Sequence, residues 1–169
     1  RDGIVFVSIN YRLGAEGFSV LDGAELNLGL ADVFAALRWV QAEIAAFGGD
    51  PDQVTIFGQS AGGNLTAAVL AHKDARTLVS RAIIQSGPLT ARPAKAAGRI
   101  TKLMAKDLGI PATKAAFAAV SPADLVACQL RVTAGTTPIT GGPGFALAIG
   151  GNFIPSDPEL DLAQGDADD

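Results

Sequence analysis

Residues 54–71 change periodicity across a single serine, and that junction limits the folds open to the chain more than any other feature. Val54-Thr55-Ile56-Phe57 is a short β-branched and aromatic run, and Ala61 to Ala71 is an Ala/Leu-rich run of helical type. Between them stands Gly58-Gln59-Ser60-Ala61-Gly62, a G-x-S-x-G string. A chain that leaves a strand and enters a helix over so few residues must turn sharply. Such a turn presents the Ser60 hydroxyl at the strand's carboxyl end, where it can attack a carbonyl carbon. Five residues alone recur by chance; the flanking strand and helix supply the context the motif requires. The ordinary alternative is that Ser60 is a helix N-cap, a position serine favours.

The same alternation extends to either side. Ile4 to Ile9 is an apolar run bounded by Asp2-Gly3 and Asn10, expected to be a strand covered on both faces. Tyr11 to Leu26 reads as loop. Leu30 to Phe47 places Val33, Leu37, Val40, Ile44 and Phe47 at helical spacing, with Gly48-Gly49 as its stop and Asp50-Pro51-Asp52 as a turn. Trp39 is expected to pack this helix against the sheet. Arg81 to Gln85 is a further strand, so the order β-α-β-α-β implies a mostly parallel sheet with flanking helices. Arg92 to Leu108, Ala112 to Val120 and Pro122 to Val132 read as helices, and Thr133 to Gly151 as loop.

Phe47-Gly48-Gly49, four residues, Val54-Thr55-Ile56-Phe57 and then Gly58-Gln59-Ser60-Ala61-Gly62 resemble the serine signature of the type-B carboxylesterases. This is the carboxylesterase/cholinesterase/lipase family of the α/β-hydrolase superfamily. Val7 to Gly14 with Gly17-Phe18 resembles its N-Y-R-L-G…G-F segment. Asn27 to Asp32 with Ala36 to Gln41 resembles its N-x-G-L-x-D…A-L-x-W-V-Q helix, and Ala82 to Gly87 its next strand. Similarity is dense from Gly3 to about Gly87 and returns weakly at Gly151 to Pro158. The fold so implied is a partial α/β-hydrolase: residues 1–169 as the central part of one domain, 1–90 its sheet core and elbow, 91–169 inserted helices and loops. Members of the family run to several hundred residues, so the chain reads as an internal piece of such an enzyme.

The resemblance implies a serine carboxylic-ester hydrolase working through an acyl-enzyme on Ser60, with a small-molecule ester as substrate and no metal or organic cofactor. Gly58, Gln59 and Gly62 complete the elbow, the glycines expected to let strand and helix approach closely, and the Ala61 N–H is the expected oxyanion-hole donor. Losing one such donor typically costs roughly 3–4 kcal/mol of transition-state stabilisation. Ser86 matches a second serine that hydrogen-bonds within the triad network; equally, it opens a turn at Ser86-Gly87-Pro88. Arg12 and Asp32 match a structural ion pair. Gln59 stands where cholinesterase-like members have a glutamate, which disfavours cationic choline esters; the ordinary alternative is that Gln59 caps the turn.

The family's H-G-G oxyanion loop would precede Arg1, and its triad acid and histidine would follow Asp169. No residue within the chain replaces them. His72 lies twelve residues after Ser60, about 18 Å along one helix, whereas a general base must come within about 3 Å. It is expected near a helix C-terminus, facing solvent. Asp157 and Glu159 have surroundings unlike the family's acid segment. The chain alone is therefore expected to be inactive, and a non-catalytic cholinesterase-like scaffold or an inactive remnant is the alternative.

Composition narrows the partners. With 13 Lys and Arg against 17 Asp and Glu, the net charge of −4 argues against nucleic acid. No apolar run reaches the ~18 residues of a membrane span. One cysteine, Cys128, and one histidine, His72, make neither a disulfide nor a zinc site.

Overall fold

A computed structural model describes residues 3–135, 142 and 144–163. The acidic tail at 164–169 and most of the Gly/Thr/Pro-rich stretch at 136–143 lie outside these. The chain divides into two compact units, one of residues 1–11, 30–90 and 156–169, the other of residues 12–29 and 91–155.

The first unit carries the elbow. Helix α2 (Leu28–Glu43; α1, Gly14–Phe18, belongs to the other unit) continues through a 3-10 turn at Ile44–Phe47, and Gly48 closes it in the left-handed conformation at φ 80. Leu30, Phe34, Leu37, Val40 and Ile44 are buried at helical spacing. The Gln41 amide donates to the carbonyls of Pro51 (2.9 Å) and Leu78 (3.0 Å), fixing the helix to the turns that flank the strands. Asp50 accepts from the Asp52 N–H at 2.9 Å, and the chain enters β1 (Thr55–Gln59). Helices α3 (Ala61–Leu70) and α4 (Ala75–Leu78) then lead to β2 (Arg81–Gln85). The strands pair in parallel from Thr55↔Arg81 to Gln59↔Gln85, as a β-α-β crossover requires. Helix α9 (Pro158–Ala163) also belongs to this unit.

Two expectations fail here. Ile4–Ile9 joins no ladder and is exposed throughout, Ile4 to 80% and Phe6 to 70%. Apolar β-branched sequence makes a strand only when a neighbour accepts its hydrogen bonds, and this segment instead lines a groove of about 910 Å³ whose other walls include Val54–Phe57 and α2. Trp39 is 45% exposed on α2 and meets the Phe47 ring at 5.8 Å, so it covers the end of its own helix and not the sheet.

The second unit is mostly helical. Within the expected loop at Tyr11–Leu26 the chain makes one short helix, α1 (Gly14–Phe18). The expected helix over Arg92–Leu108 divides into β3 (Arg92–Pro93), α5 (Ala94–Ala97) and α6 (Arg99–Leu108), with the break at Gly98. Thr113 caps α7 (Lys114–Ala118), accepting from the Ala116 N–H. Ser121 caps α8 (Pro122–Val132), with Pro122 in the first turn where its missing N–H costs nothing. Ile100, Met104, Phe117, Leu125 and Cys128 form the core. Strand β4 (Ala148–Ile149) pairs with β3, and Asn27, at φ 60, bonds both backbone groups of Ala148 at 2.8 Å.

Candidate active site

Ser60 stands between the last residue of β1 and the first of α3, at φ 53 and ψ −116. A non-glycine residue there is strained by about 1–3 kcal/mol, and such strain persists only where the surroundings over-determine it. Three contacts hold the turn. The Ser60 N–H donates to the Gln85 carbonyl at 2.8 Å, extending the β1–β2 ladder by one residue. Its carbonyl accepts the Asn64 N–H at 3.0 Å, the first bond of the helix. Finally, a Cβ on Gly58 would overlap the Gly62 carbonyl, so the turn closes tightly only with glycine at 58. The close approach is thus between Gly58 and the Gly62 backbone, and a Cβ added at Gly62 would itself meet nothing within 4 Å.

Ser60 is exposed, and its side chain makes no cap hydrogen bond, unlike Thr113 and Ser121. The ordinary N-cap reading therefore lacks its defining bond. Ala61 opens α3, whose first N–H groups have no intrahelical acceptor and carry the positive end of the helix dipole. That edge suits an oxyanion. Gln59 and Gln85 are register partners, so Ser60 and Ser86 follow on adjacent strands. Ser86 is also exposed and also has positive φ, 50.

A strand, a serine at positive φ and a helix is the geometry that the motif demands. The Carboxylesterase family profile matches residues 1–168. The chain belongs to the carboxylesterase family. It is 38% identical to the para-nitrobenzyl esterase of Bacillus subtilis over 97% of this chain and 35% of that protein. Among solved structures it resembles the Geobacillus stearothermophilus carboxylesterase EST55 with a TM-score of 0.79 and 31% identity, covering 92% of this chain and 34% of that one. It also resembles the juvenile hormone esterase of Manduca sexta, solved with OTFP covalently attached, with a TM-score of 0.77 and 28% identity over 92% of this chain and 32% of that one. The fold is thus that of the α/β-hydrolase carboxylesterases, and the chain spans about a third of the length of these relatives.

The remaining titratable candidates in this carboxylesterase chain are engaged elsewhere. His72 lies just past α3, and its side chain is only 7% exposed, against the expectation of a solvent-facing residue. Its ring packs on Phe34 at 4.5 Å, and Nδ1 accepts the Asp74 N–H at 3.1 Å, which explains the burial. Asp157 accepts the Glu159 N–H at 3.1 Å, fastening the first turn of α9. Arg12 donates to the Leu28 carbonyl at 3.5 Å, and Asp32 lies half-buried on α2. Among the described residues no group of three or more His, Cys, Asp or Glu is placed to hold a metal ion, and no helix is long and apolar enough to cross a membrane.

Two features of the site escaped sequence reasoning. Gly63 and Gly87 cross backbone to backbone: a Cβ on Gly63 would stand 2.8 Å from the Gly87 Cα, and one on Gly87 would overlap Gly63. The doubled glycine after Ser60 and the Ser86-Gly87 pair were the available signals. The other is Asn64, whose side chain reaches Thr90; a lone asparagine in an Ala/Leu helix carries no such signal.

Proposed function

We propose that residues 1–169 are the nucleophile-bearing core of a serine carboxylesterase, the central part of one α/β-hydrolase domain, with Ser60 attacking the ester carbonyl. The observation that carries this reading is the uncapped Ser60 hydroxyl, exposed on a turn at φ 53 in a chain of the carboxylesterase family. The hydroxyl oxygen adds to the carbonyl carbon, and the collapsing tetrahedral intermediate expels the alcohol, which takes up a proton. Water then releases the acid and regenerates Ser60. The Ala61 N–H stabilises the developing oxyanion. Ser86, one strand over, supports the acid and histidine. Gln59 leaves the site uncharged beside the nucleophile, which favours neutral esters. The covalent adduct in the Manduca sexta enzyme supports an activated nucleophile in this family.

The acid, the histidine and the second oxyanion donor come from further polypeptide of the same enzyme. The apolar faces left open on Ile4–Ile9 and β1 support that reading, since an internal sheet would cover them. Fluorophosphonate labelling of the full-length enzyme should modify Ser60, and Ser60→Ala should abolish it. Absence of label on a folded full-length protein sinks the assignment. The 169-residue chain alone is expected to show no turnover of a p-nitrophenyl ester. Turnover lost on Ser60→Ala would require a base within residues 1–169.

A further inference from the structure

We propose that Asn64 is a positioning residue for the reaction at Ser60, fastening the turn at Ser86–Thr90 to the first turn of α3. The inference rests on the assignment of Ser60 as nucleophile. Asn64 Nδ2 donates to the Thr90 carbonyl at 3.3 Å, and Asn64 Oδ1 accepts the Thr90 N–H at 3.3 Å. One side chain thus holds both backbone groups of one residue, as a neighbouring strand would. The Thr90 N–H also reaches the Pro88 carbonyl at 3.0 Å, so the segment is folded back on itself where the amide grips it.

The grip matters because of what lies between. The Gly63–Gly87 crossing brings α3 and the end of β2 into backbone contact, yet one point of contact leaves the following turn free to pivot. Asn64, next along the helix from Gly63, supplies a second point three residues beyond Gly87. Between these two attachments and the Ser60–Gln85 bond, Ser86 is held at φ 50, a conformation it leaves once the surroundings allow. Both amide bonds are long and exposed, so their loss costs little global stability. The consequence is local: Ser86 moves relative to Ser60. Misplacement by about 1 Å at a catalytic site can cost about a hundredfold in rate.

In the full-length esterase, Asn64→Ala should lower kcat for a p-nitrophenyl ester by about ten- to a hundredfold with KM within about twofold. Asn64→Asp, which keeps the acceptor for the Thr90 N–H and loses the donor, should fall between. The Thr90 amide should exchange with solvent faster in Asn64→Ala than in wild type while the amides of α3 keep their protection, as a local loss of the grip would cause. If the wild type takes no fluorophosphonate at Ser60, the nucleophile assignment fails and this inference with it. A wild type that labels, with Asn64→Ala at wild-type kcat, overturns the inference alone. Should Asn64→Ala not fold, Asn64→Asp with wild-type kcat does the same.

Discussion

In the unit of residues 12–29 and 91–155, Ile100, Met104 and Cys128 keep 1% or less of their surface exposed, whereas in the unit that carries Ser60 the strand residues Phe57 and Ile83 keep 55% and 53%. The difference follows from the elements used. A helix satisfies its own backbone, so α6, α7 and α8, the last two capped by Thr113 and Ser121, close a core with three apolar stripes. A strand has two edges and two faces, and β1–β2 is a single pairing with α3 packed against both strands. The elbow needs a strand that ends beside another strand, so the site sits on the element that depends most on additional neighbours. Chemistry and self-sufficiency have separated.

The comparison breaks first at the helical core. Met104→Ala removes a side chain with no exposed surface and should cost about 2–5 kcal/mol in urea denaturation. A cost below about 1 kcal/mol would mean that this core is already loose. In the elbow unit the sensitive point beside Ser60 is backbone, since the strand side chains Phe57 and Ile83 stay exposed although Leu30, Phe34 and Val69 are buried. Gly87→Ala drives a Cβ into Gly63, where neither partner has a side chain to move, and should cost at least about 3 kcal/mol, at or above the top of the overpacking range. If Leu65 and the rest of α3 keep their amide protection in that variant, the crossing is less rigid than the geometry states.

Local rules made much of this legible. Pro122–Val132 and Arg81–Gln85 end where their caps, turns and periodicity place them, and Ser60 falls where strand gives way to helix. The misreadings have a common cause. Ile4–Ile9 has strand composition, but pairing is a property of two segments. Trp39 has an apolar residue's expected face, but the ring found Phe47. His72 was placed by counting along a helix that ends at Leu70, and Phe34, distant in sequence, buries it. At the site the serine and Gly58 were readable from the motif. The Gly63–Gly87 crossing and the Asn64 grip depend on which segments the crossover brings together.

Two smaller effects sharpen the contrast. Burial, with the Asp107 carboxylate beside it, pushes the Cys128 thiol from 9.0 up to about 11, while Arg131 opposes this weakly. Because the folded value is raised, the contribution to stability is present below about pH 9 and is lost as pH rises through 11. The slope from this group should not exceed about 1.4 kcal/mol per pH unit, and Cys128→Ala should remove it. An unchanged slope in that variant would show that the thiol titrates normally. In the elbow unit, Ser60→Gly releases the strain at φ 53 and should raise stability by up to about 1 kcal/mol after glycine's unfolded-state entropy is counted, while abolishing labelling. A destabilised Ser60→Gly variant would mean that the hydroxyl contributes more to the fold than the turn costs.

The smallest change in stability should accompany the largest change in behaviour. Phe57 and Ile83 are register partners on β1 and β2, both more than half exposed, so replacing both by serine should shift unfolding by no more than about 0.5 kcal/mol each. The same double variant should bind much less of an apolar dye such as ANS and precipitate less in the isolated 169-residue chain, because these side chains belong to the exposed apolar surface around Phe6 and Phe57, whose rings stand 6.0 Å apart. Matching substitutions at Leu130 and Val126, exposed on α8 but not lining the groove that Phe57 and Ile83 line, should remove less dye binding. Equal loss of dye binding from both sets would show that the helical unit is as open as the sheet, and the division between a self-contained half and a dependent one would fall.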